Sequence, residues 1–336
     1  MTAILENPTS EFPRAGGGPV PIRTNTKRDP ADNVFRWVVK ASGGATFLVL
    51  FAIGFFLLWQ ALPAFRHMGW AFFTTSEFHT QGAHAKFGVK AALYGSVVVA
   101  LVAVIVAVPV SICAALFINE YAPRSLLGRI PLRSFLISTI DLMAAVPSII
   151  YGLWGFFVLQ PYIAPISRWL SVHVSFVPIF RVTPGTTVFT GSYLIAGILV
   201  AIMIMPIVTS ISREIISLTP SGEREGALAL GATRARVIGS VVIPFAKGGM
   251  VGAVMLGMGR ALGEAIAVEL VLALSFGTSI QLNSSGVTIA SLIANRFGAG
   301  GTYGFSSLLA CGFILFIFTL AVNLIASMIV SRSRRA

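Results

Sequence analysis

Six long apolar stretches constrain the fold of this chain more than any other feature of its sequence. Crossing about 30 Å of hydrocarbon takes roughly 20 mostly apolar residues in a helix. The stretches that meet this requirement run approximately over residues 42–62, 89–117, 135–159, 192–211, 248–276 and 305–330. Because lipid offers no hydrogen-bond partners, each backbone segment must satisfy itself within a helix. The sequence therefore predicts an all-α, polytopic membrane bundle of six transmembrane helices.

Composition also favours burial in lipid over a soluble fold. Hydrophobic residues make up 56% of the 336 residues and charged residues 11%, whereas a soluble domain carries roughly 25% charged residues. A large core does not account for this deficit, because surface area keeps growing with chain length. The chain is therefore predicted to move a substrate across a membrane rather than to act as a soluble enzyme.

The charges follow the positive-inside rule if the N-terminus is cytoplasmic. Of the 24 lysines and arginines, 17 then fall in cytoplasmic segments, 6 in outer segments, and Arg260 within the cytoplasmic membrane itself. Residues 1–35 are predicted to be a flexible cytosolic tail, since they mix charges with Pro and Gly and lack an apolar run. Residues 331–336 form a basic cytosolic tail, so both termini are predicted to be cytoplasmic. The net charge of +12 reflects topology, and nucleic acid is not predicted as a partner.

Between these tails, residues 36–88 are predicted to hold the first transmembrane helix and an outer loop, and residues 89–330 the other five helices. A second outer loop over residues 161–190 contains four prolines and is predicted to be an irregular surface cap. Pro147 lacks an amide hydrogen and predicts a kink whose freed carbonyl needs another partner. Asp141, at the membrane edge of the same stretch, is predicted to have a structural or gating role.

Histidines and cysteines are the only residues that suggest a metal site. His67, His79 and His84 share the first outer loop, but their spacing is not the usual one for metal ligands. Interface aromatics with exposed histidines are the preferred interpretation, and metal binding is the alternative. Cys113 and Cys311 lie in apolar stretches and are predicted to be small core residues rather than ligands.

A cytoplasmic loop over residues 212–247 carries the most informative motif. The chain reads Glu225-Gly226-Ala227, then three residues, Gly231, nine residues, and an apolar run that ends at Pro244. A short helix of small residues presents little bulk, so it would fit a groove on another protein. The alternative is an ordinary amphipathic connector at the membrane interface.

This pattern resembles the EAA loop of ABC importer permeases, in which Glu-Ala-Ala, three residues and Gly are followed nine residues later by Ile-x-Leu-Pro. Gly226 replaces the first Ala of that motif. The resemblance implies a type I ABC importer permease fold. It also implies that Glu225, Gly226, Ala227, Gly231 and Pro244 couple this chain to a separate ATPase subunit.

Two further segments resemble the phosphate-specific permeases of the Pst system. Residues 257–264 read Gly-Met-Gly-Arg-Ala-Leu-Gly-Glu, and residues 141–152 read Asp-Leu-Met-Ala-Ala-Val-Pro-Ser-Ile-Ile-Tyr-Gly. The tail and the extra first span are closer to the C-type subunit of that system, although Ala265 stands where a Thr is expected. The resemblance implies a phosphate importer with a second, PstA-type permease, a dimer of PstB-type ATPase subunits and an extracytoplasmic PstS-type phosphate-binding protein. ATP and Mg²⁺ would be bound by the ATPase, and no cofactor by this chain.

Arg260 is the cation predicted near the middle of the membrane. It lies thirteen residues beyond Lys247, which is roughly 20 Å along a helix, and Glu264 would follow one turn later on the same face. One interpretation places Arg260 on the substrate path, since guanidinium matches oxyanion geometry, with Glu264 moderating its affinity. The alternative is a structural ion pair between them or a bridge to a partner. Gly259 and Gly263 form a GxxxG pattern that predicts close helix packing.

Missing motifs limit the function further. No G-x-x-x-x-G-K-[ST] loop occurs, so the chain is not predicted to bind ATP phosphates by itself. No G-x-S-x-G, HExxH or CxxC motif supports a membrane enzyme. Two functions besides phosphate import fit the same sequence. One is a permease for another oxyanion such as sulfate or molybdate, and the second is an ATP-independent carrier or channel, which inverted repeats with broken helices would indicate.

Overall fold

The computed structural model describes residues 30–82, 85–123, 132–181, 189–298, 301 and 303–333. These residues are mostly helical, as predicted. They fall into two units, one that ends at Ala52 and one that begins at Ile53.

The described part of the first unit is the N-terminal portion of helix α1, Pro30–Met68. Proline suits a helix start, where its missing amide hydrogen has no intrahelical partner in any case. Residues 30–35 are therefore helical rather than part of a flexible tail, and residues 1–29 lie outside the described residues. The exposed side chains of this portion are largely apolar, with Phe47 77% exposed. Lipid is the surrounding that suits such a surface.

The second unit begins with the rest of α1, a short helix α2, Ala71–Thr74, and a hairpin of two short strands. Strand β1, Phe78–His79, pairs antiparallel with β2, Lys86–Phe87. The hairpin packs through buried aromatic rings that belong to Phe72, Phe78 and Phe87. It therefore forms a folded element of the outer segment that was predicted to be a loop.

The histidines of this region pack rather than cluster. The His67 ring stacks on Tyr303 with ring centroids 4.3 Å apart, and its Nε2 lies 3.2 Å from the Ala85 carbonyl oxygen. His79 lies on β1, and His84 falls outside the described residues. Within the described ranges, no group of three His, Cys, Asp or Glu side chains is placed to hold a metal ion.

Helices α3, Lys90–Leu116, and α7, Tyr193–Ser217, pack along much of their length. A π-helical turn, Phe117–Tyr121, extends α3. Small buried side chains line the contact, namely Ala100, Ala103, Ala107, Ala196 and Ala201. Such residues let membrane helices approach closely, which is how they associate without a hydrophobic driving force.

The two cysteines differ in their surroundings. Cys311 is fully buried, as predicted. Cys113 is exposed, so its prediction as a core residue is wrong. The reason is its position on α3, because the neighbouring positions Ser111 and Ala115 face the core while Cys113 faces outward.

Substitution of Gly197 should destabilise the α3–α7 contact. A Cβ atom at this position would lie 2.4 Å from Val102 Cγ1. Overpacking of this kind costs about 1–3 kcal/mol, so Gly197→Ala should lower the midpoint of thermal unfolding of the purified chain in detergent. Gly252→Ala is the matched control, since no atom lies within 4 Å of its Cβ; that change should be neutral or stabilising by roughly 0.5–1 kcal/mol. Equal midpoints for both variants would contradict this packing.

The third predicted span is broken at Pro147. Helix α4, Leu132–Ala145, ends there, and α5, Ser148–Trp154, begins after Pro147 adopts an extended backbone with ψ 141°. The Met143 carbonyl, which Pro147 leaves without its amide partner, accepts a hydrogen bond from the Tyr151 hydroxyl at 3.0 Å. The predicted kink is confirmed as a complete break, and the freed carbonyl has a partner.

Beyond α5 the chain remains helical through a π-helical turn, Gly155–Leu159, and α6, Gln160–His173. The span therefore covers Ser148–His173 rather than residues 135–159. The irregular cap predicted over residues 161–190 is wrong for its first part. Prolines suggested irregular backbone, but Pro161 follows the wider π-helical turn and lies in the first turn of α6, where its missing amide hydrogen is tolerated.

The predicted loop over residues 212–247 is shorter than expected. Helix α7 extends to Ser217, and after α8, Ser221–Ala229, the chain is helical again from α9, Arg234–Val237. A π-helical turn, Ile238–Val242, then leads into α10, Ile243–Gly263, with Pro244 in its first turn. The proline is accommodated because it follows the π-helical turn at the helix start.

The fifth predicted span, residues 248–276, ends earlier than its apolar composition suggested. Helix α10 stops at Gly263, and Glu264 is extended with ψ 117°. A short helix α11, Ile266–Val271, follows, and the chain then returns through a bridge between Leu274 and Gly286. Apolar composition does not reveal such a break, because the residues before and after it are mostly apolar.

The last elements are α12, Ile289–Arg296, and α13, Gly304–Ser333. Thr288 and Ser291 form a capping box at the start of α12. Residues 334–336 of the predicted basic tail lie outside the described residues. Among the described residues, six helical segments are long and apolar enough to cross a membrane, which confirms the predicted number of spans.

Candidate functional site

Arg260 lies in the last turn of α10 and lines a cleft of about 570 Å³. The other lining residues come from three helices and are Ile207 of α7, Gly252, Met255, Leu256 and Gly259 of α10, and Asn323 of α13. Among the described residues, no hydrogen bond or salt bridge to the Arg260 guanidinium occurs. An unpaired charge inside a membrane span is costly. The cleft must therefore admit water, an anion or a partner's side chain.

Glu264 is the first residue after α10 and is bonded within the chain. The helix ends at Gly263, and the Glu264 Oε1 atom accepts a hydrogen bond from the Ala267 amide at 3.2 Å. An acceptor at this position satisfies one of the free amides in the first turn of α11. No Arg260–Glu264 salt bridge forms in the part of the chain that the structure describes, and a shared helix face for the two side chains remains a prediction.

The glycines beside Arg260 leave space instead of making close helix contacts. No atom lies within 4 Å of a Cβ built at Gly259 or Gly263. The glycines of α10 that do pack closely are Gly249, against Ile215, and Gly257, whose Cβ would lie 2.7 Å from Val208 Cγ2. The GxxxG face predicted at residues 259 and 263 is thus open within this chain.

Asp141 links two helices near the Pro147 break. The Ser210 hydroxyl of α7 donates a hydrogen bond to Asp141 Oδ1 at 3.2 Å. This contact connects α4 to α7, which packs on α10. A structural role of Asp141 remains a prediction, and this hydrogen bond is the contact through which it would act.

The predicted coupling motif forms helix α8 and the turn after it. Glu225 and Gly226 are exposed on α8, and Ala227 is half-buried against the chain. Gly231 has φ +84°, and its amide donates to the Leu228 carbonyl at 2.9 Å. This left-handed conformation favours glycine at a helix C-terminus. The motif therefore produces a short helix with a tight end.

Two leucines at the end of α8 were not singled out from the sequence. Leu228 is 47% exposed and Leu230 is 91% exposed. Both lie in a segment with polar and charged neighbours, outside the candidate spans. An exposed apolar tip on such an element is typical of a protein contact.

A polar network joins α8 to the end of α3. The Arg224 Nη1 atom lies 2.8 Å from Glu120 Oε1, and its Nη2 donates to the Ile216 carbonyl at 2.7 Å. Glu120 belongs to the π-helical turn after α3. Neighbouring Asn119 accepts from Arg133 Nη2 at 2.9 Å. A displacement of α8 would therefore pull on α3 and on the start of α4.

Disrupting this network should uncouple α8 from the spans. Glu120→Lys would face Arg224 with a like charge and remove a charged hydrogen bond, which contributes about 1.5–3 kcal/mol. We expect transport by the assembled complex to fall about tenfold, measured as initial uptake rate at equal membrane abundance. The double variant Glu120→Arg with Arg224→Glu should recover part of that rate. Unchanged transport in Glu120→Lys would contradict the proposed linkage.

Asn323 was also missed, although a signal was available. It is a polar residue within the sixth apolar stretch, and polar residues inside membrane spans usually face the bundle interior or a cavity. By contrast, nothing in the sequence indicated the pairing of Glu120 with Arg224, since 104 residues separate them.

This chain is similar to a known protein family and to several proteins of known name. A family model described as "Binding-protein-dependent transport system inner membrane component" matches residues 112–335. The phosphate transport system permease protein PstC of Xylella fastidiosa (strain Temecula1) is 37% identical over 307 residues, which cover 91% of this chain and 92% of that protein. A probable phosphate transport system permease protein PstC of Methanocaldococcus jannaschii is 40% identical over 293 residues, covering 85% and 89%.

Solved structures share the fold at low sequence identity. A bacterial ABC transporter involved in import of the acidic polysaccharide alginate has a chain that aligns with a TM-score of 0.57 and 17% identity, covering 90% of this chain and 98% of that one. The inward-facing MetNI methionine ABC transporter aligns with a TM-score of 0.51 and 13% identity, covering 72% and 94%. The predicted type I ABC importer permease fold is confirmed.

Proposed function

We propose that this chain, which belongs to the binding-protein-dependent transport system inner membrane components, is the permease subunit of an ATP-driven phosphate importer. The substrate is inferred from similarity over almost the full length to phosphate transport system permeases. The chemistry of the cleft agrees with it, because a guanidinium that has no hydrogen-bond or ion-pair partner among the described residues suits an oxyanion.

In this proposal Arg260 contacts phosphate as the anion crosses the membrane. Gly252 and Gly259 leave room beside it, and Asn323 adds an amide that can both donate and accept. Glu264 is held by the Ala267 amide at the next break. From there it lowers the positive potential along the path without neutralising Arg260 directly, so that phosphate is bound weakly enough to be released.

Partner subunits are expected to supply the energy for transport and to deliver phosphate to this chain. We expect a second, PstA-type permease to complete the path, a PstB-type ATPase dimer to bind ATP and Mg²⁺, and a PstS-type protein to deliver phosphate. The chain itself is expected to bind no cofactor. A solved relative by fold, the alginate transporter, was determined in complex with a periplasmic protein, which supports a delivery step of this kind.

Helix α8 is the element expected to contact the ATPase, with Glu225, Gly226, Ala227, Gly231 and Leu230 at the contact and Pro244 at the base of α10. This assignment requires α8 to be cytoplasmic, so both termini would be cytoplasmic too. Closure of the ATPase dimer would move α8. The Arg224–Glu120 pair would pass that movement to α3, whose packing on α7 and α10 would open or close the cleft.

Labelled phosphate uptake tests the substrate. Cells that express the chain with its partner subunits would be assayed in the presence of a hundredfold excess of unlabelled sulfate or molybdate. We expect neither anion to reduce the initial rate, whereas unlabelled phosphate should abolish it. Competition by sulfate or molybdate as strong as that by phosphate would mean that the cargo is another oxyanion.

A further inference from the structure

A second cavity, of about 280 Å³, is lined by a different set of residues from the Arg260 cleft. Its lining comes from the hairpin and the last helices, namely Phe78 and His79 of β1, Thr80 and Gln81 after it, Arg296 at the end of α12, and Gly304 and Leu308 of α13. In the orientation proposed above, these elements lie on the outer side of the membrane.

Arg296 lines this cavity, and one of its donor atoms is buried within the protein. Its Nε atom is buried and has no hydrogen-bond partner in the described part of the chain. Leaving a charged donor buried without an acceptor is costly. The neighbouring acceptor does not relieve it, because the Glu269 carboxylate accepts a hydrogen bond from the Asn295 amide and only its charge acts on Arg296.

The lining favours an anion over other ligands. Its side chains offer a guanidinium fork, a hydroxyl, an amide and an imidazole, and none of the described lining residues is a carboxylate. These groups can all donate to an oxyanion, and guanidinium does so in bidentate geometry. The volume holds a tetrahedral oxyanion with several waters, each of which takes about 30 Å³. Glu269 stands behind Arg296 and would weaken binding, which suits a site from which the ligand moves on.

We propose that this cavity is a second binding site for the transported oxyanion, where phosphate is held at the outer side before it reaches Arg260. The proposal rests on phosphate import as the function of the chain. It assigns Arg296 as the principal ligand and Thr80 as the supporting donor.

Protection of a cysteine reporter tests the site without relying on transport. Gln81→Cys would be placed in a Cys113→Ala background, since Cys311 is fully buried. The complete complex would be reconstituted in phosphatidylcholine nanodiscs, and the rate of labelling by a membrane-impermeant maleimide would be measured. At inorganic phosphate ten times its dissociation constant, labelling should slow about tenfold, because the free fraction follows 1 + [L]/Kd.

Two variants identify the ligand. In Arg296→Gln the protection by phosphate should be lost, whereas Lys86→Gln should keep it. Lys86 lies on β2 and is exposed outside the cavity lining, so its replacement removes one positive charge from the hairpin beside the cavity. Protection that survives in Arg296→Gln, or none in the parent at any phosphate concentration tested, would overturn the proposal.

A lipid headgroup is the other source of a phosphate group. If nanodiscs with phosphatidylglycerol slow labelling before any phosphate is added, and added phosphate then has no effect, the site binds lipid and the proposal is wrong. Uptake by the same complex separates this inference from the function on which it rests. Normal phosphate uptake without protection removes only the outer site, whereas absent phosphate uptake removes the proposed function.

Discussion

Replacing Arg260 with alanine should reduce phosphate uptake by about 100-fold or more while the chain still reaches the membrane. Arg260 lines the cleft from the last turn of α10 and has no protein hydrogen bond in the described residues. All of the N–H donors of its guanidinium would therefore be available to an anion. Two charged hydrogen bonds contribute about 1.5–3 kcal/mol each. Their loss during transfer accounts for a change of this size, measured as the initial uptake rate normalised to membrane abundance.

Two variants show whether position or charge causes the effect. Arg260→Lys keeps the charge but not the bidentate fork, so it should retain part of the rate. Lys247→Ala removes a cation from the other end of the same helix, where the residue is exposed, and should transport normally. Uptake by Arg260→Ala within twofold of the parent would mean that Arg260 is not on the path.

Replacing Leu230 with aspartate should separate the ATPase from this chain. Leu230 is 91% exposed at the tight end of α8, and an apolar groove on a partner is the natural place for it. An uncompensated charge buried at such a contact costs about 3–5 kcal/mol, which weakens affinity several hundredfold or more. We expect the ATPase to be lost on co-purification in detergent and phosphate uptake to cease. Glu225→Lys, on the same exposed helix, should have the same direction of effect.

Leu230→Met is the matched control, because it keeps the volume and the apolar character. It should co-purify with the ATPase as the parent does. If Leu230→Asp also retains the ATPase and transports phosphate at the parent rate, α8 is an interfacial connector rather than the coupling helix.

Membrane spans were predictable because a helix that crosses lipid must be mostly apolar over some 20 residues. The six apolar stretches of the sequence correspond to six candidate spans among the described residues. The Pro147 break was predictable as well, since a missing amide hydrogen has a local consequence. The end of α10 at Gly263 was not. Residues on both sides of it are apolar. At the break, the Ala267 amide donates a hydrogen bond to the Glu264 carboxylate three residues earlier.

Proline content misled the assignment of α6. Pro161 and Pro165 suggested irregular backbone after residue 160, yet the π-helical turn before them lets the helix continue to His173. A π-helical turn is set by how α5 and α6 pack on α7 and α11. Such packing is tertiary information that local sequence does not contain.

At the candidate site, single residues were predictable and their contacts were not. Arg260 stood out as a charge inside an apolar stretch, and the spacing from Glu225 to Pro244 resembled a known motif. The Arg224–Glu120 pair joins segments 104 residues apart, so it could be found only in the fold. The end of α10 directly before Glu264, and the hydrogen bond from the Ala267 amide to its carboxylate, could likewise be found only in the fold.

The most direct test of the central claim is phosphate uptake into proteoliposomes that contain this chain, its partner permease and the ATPase, with the binding protein present only on the outer face of the permease. ATP would be supplied on the ATPase side and ion gradients collapsed with ionophores. The proposal predicts uptake that requires both ATP and binding protein and that is insensitive to the ionophores. Uptake that continues without ATP and stops when an ion gradient is collapsed would contradict it, and would make this chain part of an ion-coupled carrier.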